Sequence, residues 1–172
     1  GIEHETAYLS RNVSCIMARL YHHSDLLKIM DASLVPVING CDERYHPCQA
    51  LTDVFTMQEH FAGDLEDIHL AFVGVQNNVC NSLVAICDKL GIRMTLATPA
   101  RIDNGETEDA EVAAILATSD RINHTTDPRQ AVQDADFVYT DTWIDMQYFN
   151  NPDHEEENNA KLKLMMPYQL NE

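Results

Sequence analysis

Basic residues are scarce in this chain. Eleven lysines and arginines stand against 28 aspartates and glutamates, a formal net charge of −17 with histidine neutral. A surface of that sign repels phosphate backbones and anionic lipid, which argues against nucleic acid and membrane as general partners; an anionic substrate would need the few arginines gathered around it. Cysteines are few and unmatched. Cys15, Cys41, Cys48, Cys80 and Cys87 are odd in number and none stands in a Cys-x-x-Cys spacing. That argues against a disulfide framework or a zinc site and points to reduced thiols in a cytoplasmic compartment. No apolar stretch approaches the roughly 18 residues that span a bilayer, and the first residues do not read as a signal peptide. Among six glycines none forms a Gly-x-Gly-x-x-Gly turn, so a dinucleotide-dependent enzyme is disfavoured. Internal repeats and low-complexity tracts are absent.

What is present is ordinary globular material, 172 residues that are 45% hydrophobic and 23% charged. That suffices for one domain, or for pieces of two, with a sizeable core. Residues 5–14 read as a helix, "CIMARL" as a buried strand, "SDLLKIMDAS" as a helix capped by Ser24, and "VPVING" as the next strand. Strand, helix and strand within about thirty residues make a βαβ unit and hence a parallel sheet. The helix from Pro47 to about His60 follows. The alternation then resumes with "IHLAFVGV", the helix "NVCNSLVAICDKLG", "RMTLATPA", the helix "TEDAEVAAILATSD", a short strand or loop "RINHTTD", the helix "DPRQAVQDA" and the strand "DFVYTDTW". "NNPDHEEENNAKLKLMM" reads as a solvated surface segment. The expected fold is α/β, with two doubly wound parallel-sheet lobes joined by a helix. The expected boundaries are 1–44 for the first lobe, 45–61 for the joining helix and 62–172 for the second lobe.

Ligands in such sheets bind beyond the carboxyl ends of the strands, which selects "ARLYHHS", "INGCDERYHPCQ", "GVQNNVCNS", "ATPARIDNG" and "YTDTWIDMQYF". In the second of these, Pro47 fixes a helix start, so His46 and Gln49 project from one turn at the helix N-terminus. An imidazole that donates to a carbonyl, a carboxamide that donates and accepts, and the positive end of the helix suit a small polar anion carrying an amide; a capped surface helix is the alternative. Asn77 and Asn78 either meet a ligand at the next helix start or only make the turn. Asp141 and Asp145 either hold a cationic amine or cap a helix. Arg19 ends a buried strand, where a guanidinium suits phosphate or forms a surface ion pair. His22 and His23, adjacent on an expected strand, point apart and lack further ligands, so no metal site is expected.

Taken together, "ETAYLSRNVSCIMARL", "VPVINGCDERYHPCQALTDVFTM", "AFVGVQNNVCNSLVAICDKLGI", "DADFVYTDTW" and "PYQLNE" resemble the aspartate/ornithine carbamoyltransferase family, its ornithine branch most closely. The resemblance implies attack of an amine on carbamoyl phosphate, giving a ureido product and phosphate, with no cofactor and no metal. It places Arg19, His46 and Gln49 as catalytic residues that bind carbamoyl phosphate, and Asn78, Asp141, Asp145 and Met146 around the amino acid. It also implies a homotrimer.

There are departures. Asp145-Met146 stands where the ornithine enzymes carry Ser-Met, and Val75-Gln76 where Asp-Gly is common. The added carboxylate would grip an α-ammonium, or repel an α-carboxylate and favour a diamine; a diamine or an acylated ornithine is accordingly the alternative amine. The family's Ser-Thr-Arg-Thr phosphate loop would lie before Gly1 and its His-Cys-Leu-Pro motif after Glu172. The chain therefore reads as the middle of a longer enzyme with both lobes incomplete, 1–44 being the C-terminal part of the carbamoyl-phosphate-binding lobe and 62–172 the amino-acid-binding lobe without its C-terminal end, and it is expected to be inactive alone. The competing expectation is a carbamoyltransferase-like protein that keeps the fold for binding or regulation.

Overall fold

The computed structural model describes residues 1–99, 109–144, 148–149 and 151–171. The chain divides into two compact units, Gly1–Thr56 with Asn77–Leu83, and Met57–Gln76 with Val84–Glu172. Among the described residues no helix is long and apolar enough to cross a membrane.

The first unit opens with α1 (Ile2–Leu9), β1 (Ile16–Arg19), α2 (His23–Ala32) and β2 (Val37–Cys41). β1 and β2 are parallel, as a strand, crossover helix and strand require. Ala18, Leu26 and Ile29 form its buried core, with Ile2, Ile16, Leu20 and Val37 packed around them. The register slips at Gly40, so that Ala18 faces Asn39 but Arg19 faces Cys41. Such a bulge re-aims the side chains that follow it. Glycine is suited to the spot because a Cβ there would fall 3.2 Å from the Ala18 carbonyl oxygen and closer still to the Met17 sulfur.

α2 begins one residue before the expected cap. His22, with extended backbone, occupies the cap position, and Ser24 lies inside the helix. The His23 amide is taken by the Glu43 carboxylate at 3.2 Å, a partner twenty residues away. His22 and His23 therefore open a helix rather than lie on a strand. α3 runs from Pro47 to His60, where the proline and the amphipathic spacing put it.

In the second unit β3 (His69–Val73), β4 (Arg93–Ala97), β5 (Ile122–Thr125) and β6 (Phe137–Tyr139) form an all-parallel sheet in the order β5-β4-β3-β6. Every residue of β3 is buried, the pattern of a central strand covered on both faces. α4 (Asn78–Leu90) carries buried residues at helical spacing, Val79, Cys80, Leu83, Val84 and Cys87. α5 (Ala110–Thr118) is capped by Asp109, whose carboxylate accepts from the Glu111 and Val112 amides. α6 is short, Pro128–Ala131, because the chain leaves through Asp134 in the left-handed region at φ 58°. α7 (Glu155–Met165) is followed by a 3-10 turn, Met166–Tyr168. Met165 and Tyr168 pack with Val73, Ala97 and Ala131, so this segment is partly core rather than wholly solvated surface.

The first residue of β3 is polar and buried, and it is fully paired. His69 Nδ1–H donates to the Asp134 carbonyl at 3.1 Å, and Nε2 accepts from Thr95 Oγ1 at 2.9 Å. The His69 amide donates to Asp136 Oδ2 at 2.8 Å. All five thiols are free. Burial pushes Cys87 up to about 12, so its thiol is unreactive at neutral pH.

Gly91 ends α4 with φ +70°, and Arg121 Nη1 donates to its carbonyl at 3.1 Å and to that of Glu66 at 3.0 Å. A Cβ at Gly91 would fall 3.2 Å from Glu66 Cγ. Gly91→Ala is expected to destabilise the protein by about 1 to 2 kcal/mol, because an L side chain resists this backbone region. Urea unfolding checks this, and an unchanged midpoint would refute it.

Candidate active site

The candidate residues of the first unit gather at the carboxyl ends of β1 and β2 and at the N-termini of α3 and α4. Arg19 closes β1 and is exposed to solvent, and no carboxylate is paired with it among the described residues. Opposite it, Cys41 accepts from Asn78 Nδ2 at 3.4 Å. Burial raises the Cys41 thiol above its ordinary value, with Asp42 adding to the rise while Arg19 and the Asn78 bond oppose it.

Asp42 organises the connection from β2 to α3. It is 2% exposed, and its Oδ1 accepts from the amides of Arg44 at 2.8 Å and Tyr45 at 2.7 Å. Oδ2 accepts from His23 Nδ1 at 2.7 Å and from Asn39 Nδ2 at 2.9 Å. The Asp42 amide closes the turn on the Tyr45 carbonyl at 2.9 Å. A buried carboxylate is tolerated because donors surround it.

That turn delivers His46 to the mouth of α3. Its backbone amide donates to Ser82 Oγ at 2.7 Å, and its carbonyl accepts from the Ala50 amide at 3.2 Å. The ring Nδ1 is buried without a hydrogen-bond partner among the described residues, whereas buried polar atoms are nearly always paired. Gln49, one turn on, donates through Nε2 to Asp53 Oδ1 at 2.9 Å, an i to i+4 bond along the helix. Its amide nitrogen is thus held beside the helix by a carboxylate at the i+4 spacing.

The two asparagines divide the roles left open by the sequence. Asn77 Oδ1 accepts from the Cys80 amide at 3.0 Å and caps α4. Asn78 Nδ2 donates to the Asp42 carbonyl at 2.7 Å, and its Oδ1 accepts from the Val79 amide at 3.0 Å. Ser82 Oγ–H donates to the Asn78 carbonyl at 2.9 Å.

The structure thus brings Arg19, His46, Gln49 and Asn78 to one edge of the first unit. Asp141 belongs to the second unit, beyond the end of β6, where its Oδ1 accepts from the Thr142 amide at 2.8 Å. Asp145 and Met146 lie outside the described residues. Among the described residues no three metal-ligating side chains gather. His22 and His23 turn instead to Glu43, at 3.2 Å, and to Asp42.

Sequence reasoning missed Asp42 and Ser82, and weighed His23 only as a metal ligand. Ser82 had a signal, since it stands four residues after Asn78 on one face of a helix. Asp42 had a weaker one, an aspartate at a strand end followed by a turn.

Comparison with known proteins divides the chain in two. Residues 2–59 match the carbamoyl-P binding domain of aspartate/ornithine carbamoyltransferase, and residues 66–172 match its Asp/Orn binding domain. The chain is 40% identical to the ornithine carbamoyltransferase of Bacillus cereus over 164 residues, which is 95% of this chain and 49% of that protein. It is 42% identical to that of Methanothermobacter thermautotrophicus over 165 residues, 95% of this chain and 52% of the relative. The solved ornithine carbamoyltransferase from Pyrococcus furiosus superposes with a TM-score of 0.83 at 35% identity, covering 99% of this chain and 53% of that one. The chain spans about half the length of the curated relatives it matches.

Proposed function

The chain belongs to the aspartate/ornithine carbamoyltransferase family, and on that premise we propose that the whole protein transfers the carbamoyl group of carbamoyl phosphate to the side-chain amine of L-ornithine, giving L-citrulline and phosphate. The observation that carries this reading is that one chain has segments matching both domains of the family, with Arg19, His46 and Gln49 in the part matching the carbamoyl-P binding domain. Asn78 and Asp141 fall in the part matching the Asp/Orn binding domain.

The reaction proceeds by attack of the neutral amine nitrogen on the carbamoyl carbon. The carbonyl oxygen takes up charge as the tetrahedral intermediate forms, the bond to the phosphate oxygen breaks, and phosphate leaves with the proton lost from the amine. Arg19 holds the phosphoryl oxygens by charge-assisted hydrogen bonds. His46 donates to the developing oxyanion, and Gln49 addresses the carbamoyl nitrogen through its Oε1. No covalent intermediate on the protein is needed; orientation and charge stabilisation supply the acceleration. Asn78 and Asp141 meet the amino acid, Asp141 as the partner of its α-ammonium. The protein then acts in arginine metabolism, in the cytoplasm, as a homotrimer, for which analytical ultracentrifugation is the check.

The test is ureido-product formation by the whole protein with carbamoyl phosphate and, in turn, ornithine, N-acetylornithine, lysine, putrescine and aspartate. Ornithine is expected to give the product. Silence with every amine from a folded protein would replace the reading with a binding or regulatory one.

A second amine is favoured by one feature, the carboxylate of Asp145 where the ornithine enzymes carry a hydroxyl. Asp145→Ser is expected to raise the preference for ornithine over putrescine by about tenfold, near 1.4 kcal/mol of discrimination. Unchanged kcat/KM ratios would remove Asp145 from the amine site.

A further inference from the structure

Within the first unit the hydrogen bonds around His46 and Asn78 close on themselves. From Asp42 the turn runs to His46, fixed by two amide bonds to the Asp42 carboxylate. His46 N–H donates to Ser82 Oγ, Ser82 Oγ–H donates to the Asn78 carbonyl, and Asn78 Nδ2 donates back to the Asp42 carbonyl. Asn81 Nδ2 adds a brace to the Arg44 carbonyl at 3.1 Å. Asp42 and Ser82 are 2% and 5% exposed, so water competes poorly for these bonds.

We propose that Asp42 is a positioning residue which, through this closed ring with Ser82, holds His46 and Asn78 in one fixed arrangement. The inference rests on the carbamoyl-transfer reading of the site. It assigns to neither Asp42 nor Ser82 any contact with substrate. In a ring, each member has two routes of support. Loosening the Asp42 turn, which holds His46 most directly, frees most of what cutting the Ser82 bond would free, so a second break adds little. His46 and Asn78 are the proposed contacts to carbamoyl phosphate and to the amino acid, so the ring ties the placement of one substrate to that of the other.

The oxygen that matters most is Asp42 Oδ1, which holds the turn. Asp42→Asn retains that acceptor. Its new amide at the second position would face His23, whose Nδ1 can become an acceptor in the other tautomer, and Asn39, whose Oδ1 is buried and unpaired among the described residues. Asp42→Asn is therefore the conservative variant expected to recover most of what Asp42→Ala loses.

The experiment uses the whole protein with Asp42→Ala, Ser82→Ala, the double variant and Asp42→Asn, read by steady-state kinetics and by amide hydrogen exchange across residues 43–46. Asp42→Ala is expected to lower kcat about 100-fold and Ser82→Ala about 10-fold, since a misplacement near 1 Å costs on that scale. The double variant should stay near the 100-fold loss rather than reach about 1000-fold, as groups acting as a unit are not additive. Both KM values should move far less than kcat, and exchange at the His46 amide should rise in both single variants.

Losses that multiply in the double variant, or an unchanged kcat in a folded Asp42→Ala, would overturn the proposal. If the unmodified protein makes no ureido product, the functional reading fails and exchange alone judges the ring. A faster His46 amide in Asp42→Ala then upholds it, and an unchanged one removes it.

Discussion

Replacing His46 with alanine in the whole protein is expected to reduce kcat about 1000-fold, at the upper end of what one oxyanion donor contributes, with the KM for the amine changing by less than about threefold. The size follows from the placement of the ring. Pro47 fixes the first residue of α3, so the chain just before it cannot be absorbed into the helix. His46 is then held from both sides, by the Asp42 turn and by Ser82. A donor that does not need to reorganise as charge develops is worth several kcal/mol in a site that excludes water. The buried Nδ1, without a partner among the described residues, marks a polar group that does not add to stability there. His46→Ala removes that buried unpaired atom, so the variant should fold at least as firmly as its parent. Loss of turnover with retained stability is thus the expected pair of results. Wild-type kcat in the variant would take His46 out of the chemistry.

Phe72→Ala carries the largest expected cost in stability, about 4 kcal/mol, within the range for emptying a buried aromatic site. Phe72 is 0% exposed in β3, and its ring stacks on that of Tyr139 with centroids 5.9 Å apart and planes 18° from parallel. The two residues are register partners in neighbouring parallel strands, so the contact joins the sheet side to side as well as filling the core. Loss of 4 kcal/mol multiplies the unfolded population by roughly 1000 at 25 °C, since each 1.4 kcal/mol is tenfold. Urea unfolding should show a lower midpoint with the slope of the transition unchanged. Phe72→Leu, which keeps most of the volume, is expected to lose much less, and equal losses for the two variants would show that the site had collapsed around the alanine.

The parts of the fold that were legible from sequence are those specified locally. α3 begins at Pro47 because proline suits a helix start, and α4 stops at Gly91 because a left-handed residue is needed there. The parallel sheets follow from alternating strands and helices, which leave few topologies. The errors fall where a distant partner outweighs a local signal. Ser24 is a good cap by type, yet the helix starts earlier because Glu43 reaches the His23 amide from across the sheet edge. "DPRQAVQDA" has helical character throughout, but the Asp134 carbonyl is needed by His69, and the chain turns out of the helix to bring it there.

The candidate site divides in the same way. His46, Gln49, Arg19 and Asn78 stood out because their residue types at strand ends and helix starts have chemical meaning by themselves. Asp42 did not, because its importance comes from donors at His23, Asn39, Arg44 and Tyr45 that only the folded chain collects. Gln49 was read as free to meet a ligand, and the i+4 carboxylate of Asp53 that engages it could have been counted from the sequence.

The order β5-β4-β3-β6 also sets a timetable for the growing polypeptide. β3 is made first and finds β4 and β5 on one side soon after, but the strand that covers its other side is β6, which follows Asp136, 67 residues beyond His69. At about 5 to 20 residues per second, translation leaves that flank of the most apolar strand bare for roughly 3 to 13 seconds. During that interval the nascent chain offers an open row of amides and carbonyls beside the apolar side chains of Leu70, Ala71, Phe72 and Val73, the kind of edge on which chains aggregate. Substitutions that weaken the docking of residues 137–139 are therefore expected to lower the amount of soluble protein recovered, and an unchanged soluble yield would refute this.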